Sequence, residues 1–272
     1  VTAVIDSPCW ENPDLPAHAI CTNQTDEEDR IVAISRQLKA RCPRVSTQMY
    51  LNSLMDFWWY RLHRQFEGAN ETQLLHDDRG RLVRVNQDGG NAGLPVFDWG
   101  QNETRRKFLA VVQQALASGI SGFFLDKATA SATPQPDGSY AICNHVCANV
   151  SAAVGEAWNA GHLQVMRAVE AQSPGPAIGN VGCGHAMAGC VLSGRTEKAN
   201  QQSIQSLAKT IDAPGTRAVF AKFPLTTDGY AAFLMAHQQG RSWLWWYNSK
   251  PSFQGWVPEW NRTLGAPVDN AT

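Results

Sequence analysis

Long hydrophobic runs are missing from this chain: none approaches the roughly 20 apolar residues that a membrane-spanning helix needs, so membrane insertion is not expected. The dinucleotide fingerprint Gly-x-Gly-x-x-Gly after a strand is absent, as is a phosphate-cradling Gly-Lys-Ser/Thr loop, and with them the grounds for a nucleotide cofactor. No Gly-x-Ser-x-Gly elbow supports Ser/His/Asp acyl chemistry. Charge of one sign is lacking too. The net charge is -1 without long runs, which gives no electrostatic case for nucleic acid or an anionic membrane surface as partner. Internal repeats and low-complexity tracts do not occur. Val1 does not begin a signal peptide, so the chain reads as a processed or trimmed form.

What is present suits a large α/β protein. With 272 residues and 43% hydrophobic content the chain is long enough for one sizeable core, and 1–272 reads as a single domain. Six Asn-x-Ser/Thr sequons, at Asn23, Asn70, Asn102, Asn149, Asn261 and Asn270, exceed chance several times over and point to a eukaryotic secretory route. The expected location is secreted, extracellular or at the cell surface. Of seven cysteines, six fall in close pairs: Cys9 with Cys21, Cys143 with Cys147, and Cys183 with Cys190. These read as three short-loop disulfides, with Cys42 left over as a buried thiol. A metal site is the competing arrangement, since His145 and His185 lie inside two of the pairs. Neither pair shows the repeated two-to-four-residue spacing of a zinc ribbon, so no metal and no organic cofactor are expected.

The stretch from Pro95 to Ala128 carries the most information. Asn102 can cap the helix that follows, Glu103 suits its positive first turn, and Phe108, Val111, Val112, Ala115 and Leu116 recur at helical spacing. Gly119 stops the helix. The continuously apolar Gly122, Phe123, Phe124 and Leu125 fit a parallel strand buried on both faces, and the run breaks to Asp126 and Lys127. Ligands in parallel α/β folds bind at the carboxyl ends of strands.

Other elements follow the same alternation. Strands are expected at Val1 to Ile5, Val45 to Leu51, Pro176 to Asn180, Met187 to Leu192, Arg217 to Phe223 and Ser242 to Tyr247. Helices are expected at Glu27 to Lys39, with Ile31, Ile34 and Leu38 on one face, and at Val154 to Ala171, Gln202 to Ile211 and Gly229 to His237. Leu74 to Val85, with its Asp77-Asp78-Arg79-Gly80 turn, reads as an inserted β-hairpin. A long polar loop containing Pro134, Pro136 and Gly138 follows Asp126. The Cys183 to Cys190 loop is too short for a crossover helix, and Val96 to Asp98 is short for a stave. The fold class is therefore α/β, a (β/α)8 TIM-barrel-like architecture that is irregular or lacks one strand.

The run from Gly119 to Asp126, the strand end Ile178, Gly179, Asn180, the segment from Gly194 to Glu197, and the tail with Pro258, Glu259, Trp260 and Leu264 to Pro267 together resemble the hypothetical glycoside-hydrolase-like barrels. These are more distantly similar to endo-α-1,4-polygalactosaminidase and α-galactosidase-type barrels. The resemblance covers most of the chain and implies a (β/α)8-type fold with a carbohydrate-facing cleft. It further implies that Asp126 corresponds to the strand-four carboxylate and serves as nucleophile or base, with Glu197 as general acid. Glycoside hydrolysis by the usual route needs such a pair. Gly194, Arg195 and Thr196 displace Glu197 from its strand end.

Asp6, Asp56 and Asp98 are reserve carboxylates, and Asp98 equally suits anchoring the helix after it. Asn52 and Asn180, at strand ends, suit sugar hydroxyls because an amide both donates and accepts. Lys127 or Lys222 could pair with a cleft carboxylate. Among ten tryptophans, Trp58, Trp59, Trp99 and Trp246 lie near strand ends, where they would offer sugar platforms or simply pack the core and rim. Two functions remain on these grounds. One is a secreted glycoside hydrolase-like protein acting on a carbohydrate. The other is a catalytically inactive carbohydrate-binding or structural extracellular glycoprotein, self-assembling as a subunit of a surface assembly.

Overall fold

The structure, a computed structural model, describes residues 2–5, 27–85, 93–128, 130–144, 146–174, 178–182, 218–224 and 242–247. Asp6, Cys9, Cys21, Asn23, His145, Cys183, His185, Cys190, Glu197, Asn261 and Asn270 lie outside these residues, as do the helices expected at 202–211 and 229–237 and the strand at 187–192. The chain divides into two compact units, 1–181 with 213–219 and 182–212 with 220–272.

In the first unit, β1 (Thr2–Ile5), β2 (Ser46–Asn52), β5 (Gly122–Asp126) and β9 (Ile178–Gly182) lie side by side in that order. All three pairings are parallel. Among the described residues these strands form an open row and not a closed barrel. β10 (Ala218–Pro224), whose last five residues belong to the second unit, and β11 (Ser242–Tyr247) are neighbours.

The helices that connect the first unit's strands pack by their apolar faces. In α2 (Asn102–Ala117) the buried set is Thr104, Lys107, Phe108, Val111, Val112 and Ala115, close to the face expected from the 3.6 period. Its start differs from the sequence expectation. Gln101 is the cap residue and makes no side-chain cap bond, while Asn102 is already helical and its Oδ1 accepts from the Arg105 guanidinium. Gly119, at φ 99°, reverses the chain in a conformation that L side chains avoid. In α1 (Glu27–Arg41) the buried residues are Glu27, Glu28, Ile31, Val32 and Ser35, and Ile34 is 38% exposed. The face is turned from the expected one because polar partners select it. Ser35 Oγ meets Thr47 Oγ1 at 2.6 Å, and the Glu28 carboxylate accepts the backbone N–H groups of Arg61 and Leu62.

Two insertions follow the strand ends. After β2, short 3₁₀ turns at His63–Phe66 and Gly68–Gln73 lead into the expected hairpin. Its arms meet at His76 and Leu82, Val83 N–H donates to Leu75 O at 2.8 Å, and Gly80 takes φ 72° in the turn. The hairpin continues into β3 (Arg84–Val85), antiparallel to β4 (Leu94–Pro95). After β5, the stretch read as a polar loop is an antiparallel meander of β6 (Ala132–Pro134), β7 (Tyr140–Asn144) and β8 (Val146–Val150). Its prolines sit at β6's end and in the following turn, where no ladder donor is needed. The register sets Cys143 opposite Cys147. Then α3 (Ala152–Gln172) runs three residues longer than its sequence signal. Cys42, expected to be buried, is exposed and free, because α1 ends one residue before it.

Candidate functional site

The register of β2 against β5 builds the site. Gln48, Met49, Tyr50, Leu51 and Asn52 pair with Gly122, Phe123, Phe124, Leu125 and Asp126 in turn. Side chains alternate between faces along a strand, and the contact of Thr47 with Ser35 of α1 assigns Thr47, Met49 and Leu51 to the helix-covered face. Gln48, Tyr50 and Asn52 therefore share the opposite face with Gly122, Phe124 and Asp126. Phe124 pairs with Ile178, and carrying that register two residues on places Asn180 level with Asp126. Three residues picked out from the sequence, Asn52, Asp126 and Asn180, thus occupy one row at the carboxyl ends of adjacent strands.

Asp126 is half-buried and surrounded by donors. Tyr50 Oη donates to Oδ2 at 2.8 Å, Asn52 Nδ2 reaches the same oxygen at 3.4 Å, and Lys127 N–H donates to Oδ1 at 2.9 Å. Its backbone is clamped as well, since Ser53 donates to the Asp126 carbonyl through both N–H at 2.9 Å and Oγ at 2.8 Å. Lys127 adopts φ 59°, a left-handed conformation costly for a residue with a Cβ, and backbone strain of this kind concentrates at functional sites.

Tyr50 is buried between Phe57, at 6.4 Å and 8°, and Phe124, at 6.0 Å and 23°, so packing fixes the direction of its hydroxyl. Asn52 is buried, and its amide is engaged at both ends. Oδ1 accepts Leu54 N–H at 2.9 Å and Met55 N–H at 2.8 Å, while Nδ2 faces Tyr50 Oη and Asp126. Here Asn52 orients Asp126. Trp99 is fully buried, its Nε1 donates to Ser53 O at 2.8 Å, and Phe97, Phe108 and His162 surround its ring. That leaves no face for a sugar. Trp59 is likewise buried, against Phe57 and Trp58. Trp246 and Lys222 lie in β11 and β10.

A second layer supports the clamp. His162 of α3, stacked on Trp158 at 5.0 Å, meets Ser53 Oγ through Nε2 at 3.1 Å. Because Ser53 Oγ gives its hydrogen to Asp126 O, His162 must be the donor there. Complete burial lowers the His162 pKa to about 3, so the ring is neutral and one proton sits on Nε2.

Two of the reserve carboxylates, Asp98 and Asp56, take structural positions. Asp98 Oδ1 accepts Gly100 N–H at 3.0 Å and Oδ2 accepts Gln101 Nε2 at 2.7 Å, anchoring the turn into α2. Asp56 is fully buried and bonds His63 Nδ1 through Oδ2 at 2.5 Å. Burial pushes the Asp56 carboxyl above its ordinary value despite His63. For His63, burial pulls downward, but the hydrogen bond and charge of Asp56 outweigh it and the net shift is upward. The cavity beside Asp56, also lined by Asn52 and Tyr60, measures about 10 Å³. That is room for about one water, against the several hundred Å³ of a ligand pocket. Among the described residues no group of three or more His, Cys, Asp or Glu side chains could hold a metal ion.

No protein-family model and no curated protein matches the chain. Solved structures do show a likeness. An alpha-galactosidase from Thermus thermophilus, in complex with stachyose, is similar at 18% identity over 55% of this chain and 27% of that one, with a TM-score of 0.38. The trehalose-6-phosphate hydrolase of Bacillus licheniformis is similar at 9% identity over 83% and 50%, with a TM-score of 0.46. A trehalulose synthase mutant in complex with sucrose is similar at 12% identity over 83% and 50%, also at 0.46. The chain spans between about a quarter and a half of the length of these solved chains. The chemistry of this chain is accordingly read from Asp126 and its partners.

Tyr50, Ser53 and His162 were not picked out from the sequence. A signal for the first was present, because Gln48, Tyr50 and Asn52 alternate with Met49 and Leu51, which marks one face of the strand's second half as polar. Ser53 and His162 are 109 residues apart, and no local pattern links them.

Proposed function

We propose that Asp126 is the acceptor carboxylate of a carbohydrate-active site at the carboxyl ends of β2, β5 and β9 in a secreted protein. Its role is nucleophile or base in cleaving a glycosidic bond, with Glu197 as the general acid. The observation that carries this reading is the convergence of the Tyr50, Asn52 and Lys127 donors on the Asp126 carboxylate. Such donors fix the rotamer of the carboxylate and so hold its oxygens in one direction, the preorganisation that attack on carbon needs. In the nucleophile role, an Asp126 oxygen bonds the anomeric carbon as the glycosidic oxygen departs with the Glu197 proton. Water then releases the sugar, giving one proton back to Glu197. Lys127 and Asn180 are the further groups proposed to face the sugar.

The experiment is a screen of α- and β-linked oligosaccharides with wild type and Asp126→Asn. Turnover should fall about a thousandfold or more in the variant. Equal turnover would remove Asp126 from the mechanism.

A carbohydrate-binding protein without turnover is the second reading. It is favoured by the engagement of Asn52 at both ends of its amide, which makes it a support for Asp126 and not a group acting on a reacting bond. Calorimetric binding of an oligosaccharide that is never cleaved would select it.

A further inference from the structure

Three of the six sequons fall on described residues, and the fold gathers them around one segment. Asn70, Asn102 and Asn149 are each exposed, although they come from a 3₁₀ turn, a helix start and a strand of the meander. Each sequon touches or belongs to residues 70–78. Thr72 completes the first sequon, and its carbonyl accepts Gln101 Nε2, next to Asn102, at 2.9 Å. Thr104 completes the second and donates from Oγ1 to Gln73 O at 2.6 Å. Ser151 completes the third and donates its N–H to Asp78 Oδ1 at 3.2 Å.

The three also share one end of the sheet. Trp99, just before α2, bonds Ser53 O, and Ser53 bonds the carbonyl of Asp126, so the N-terminus of α2 lies at the carboxyl ends of the strands. The C-terminus of α2 lies at the other end, where Ser121 N–H meets Thr47 O. His162, in the middle of α3, is level with Ser53, which carries the N-terminus of α3 and Asn149 beyond it at the same end.

We infer that Asn70, Asn102 and Asn149 carry N-linked glycans that together fence the hairpin around its tip at Asp77 to Gly80, on the rim that also holds Asp126. The inference rests on the secretory part of the proposed function and not on its chemistry. Glycans are bulky and hydrated, so three on one rim oppose protein docking there and shield the exposed tip. That tip offers trypsin two exposed sites, Arg79 and Arg81, in a position that proteases otherwise favour.

The test uses the full chain secreted from a eukaryotic host, with peptide mapping by mass spectrometry. Glycopeptides are expected at all three asparagines. Cleavage at Arg79 and Arg81 should be about tenfold slower than in the same protein trimmed natively by an endoglycosidase, because an exposed tip is cut at a rate set by access. The Asn70→Gln, Asn102→Gln, Asn149→Gln variant should cleave as fast as the trimmed protein. Equal cleavage of fully glycosylated and trimmed protein would overturn the fence. Unmodified asparagines at these positions would overturn the sites and the secretory reading together, and would leave the Asp126 chemistry standing.

Discussion

Tyr50 and Asp126 sit on adjacent parallel strands, two register positions apart on one face, and the phenol donates to the carboxylate at 2.8 Å. Stacking of Tyr50 between Phe57 and Phe124 makes the donor rigid, so the bond holds one rotamer of Asp126 in place. Tyr50→Phe keeps the stacking and removes the bond. The variant should fold normally by circular dichroism and slow Asp126-dependent turnover about tenfold, the scale of one hydrogen bond to a charged group. Unchanged turnover alongside an inactive Asp126→Asn would show that Asn52 and Lys127 suffice to orient the carboxylate.

The left-handed backbone at Lys127, φ 59°, aims its N–H at Asp126 Oδ1. Glycine accepts that conformation freely, whereas a β-branched residue is strained in it. Lys127→Gly and Lys127→Val should therefore differ by about 2 kcal/mol in stability, with valine the weaker. Urea midpoints measure the difference, and identical midpoints would place Lys127 outside the left-handed region.

Two histidines bend the pH dependence of stability in opposite directions. Unfolded, His162 protonates near its ordinary 6.5, but folded only near 3. The unfolded chain thus binds more protons in between, and stability falls with pH from 6.5 downward by an amount on the order of 4 kcal/mol. His63 is raised above its ordinary 6.5, so its contribution is complete below that value and is lost as pH climbs through the folded pKa. Asp56, Glu67 and Arg84 face it electrostatically. Asp56, itself raised above 3.8, works against His162 on the acid side, so variants isolate each limb. In urea titrations, His162→Gln should flatten the fall below pH 6.5 and His63→Gln the fall above it. Unaltered limbs would show that neither imidazole titrates as described.

Much of this arrangement was legible in the sequence where local patterning sets it. The helix from Asn102, the stop at Gly119 and the apolar strand into Asp126 follow from period, turn chemistry and length, and the hairpin followed from its Asp-Asp-Arg-Gly turn. The turned face of α1 was not legible, because Glu28 and Ser35 are polar residues buried by partners 12 to 34 positions away. The meander after Asp126 was hidden by prolines and glycine that mark turns and strand ends equally well. At the site, Asp126 was visible as a charge ending a hydrophobic strand. Its supports were not, since Trp99, Ser53 and His162 meet only through tertiary packing.

That packing has a point of no tolerance at Gly161 in α3. A Cβ there would stand 1.8 Å from Trp99 O and 2.6 Å from its carbonyl carbon, and backbone atoms cannot swing aside as a side chain can. At Gly155 the obstacle is the near end of a side chain, with Tyr140 Cγ at 2.4 Å, Cβ at 2.5 Å and Cδ1 at 2.6 Å, which gives way by a change of rotamer together with a small backbone shift. Gly161→Ala should destabilise by about 3 kcal/mol or more and Gly155→Ala by about 1 to 2, the usual range for overpacking. Denaturant midpoints give both values. Because Trp99 holds Ser53 and Ser53 holds Asp126, the Gly161 variant should also lose site function at temperatures where it remains folded, while the Gly155 variant keeps it. Equal loss in both would mean that the tryptophan does not transmit the displacement to the carboxylate.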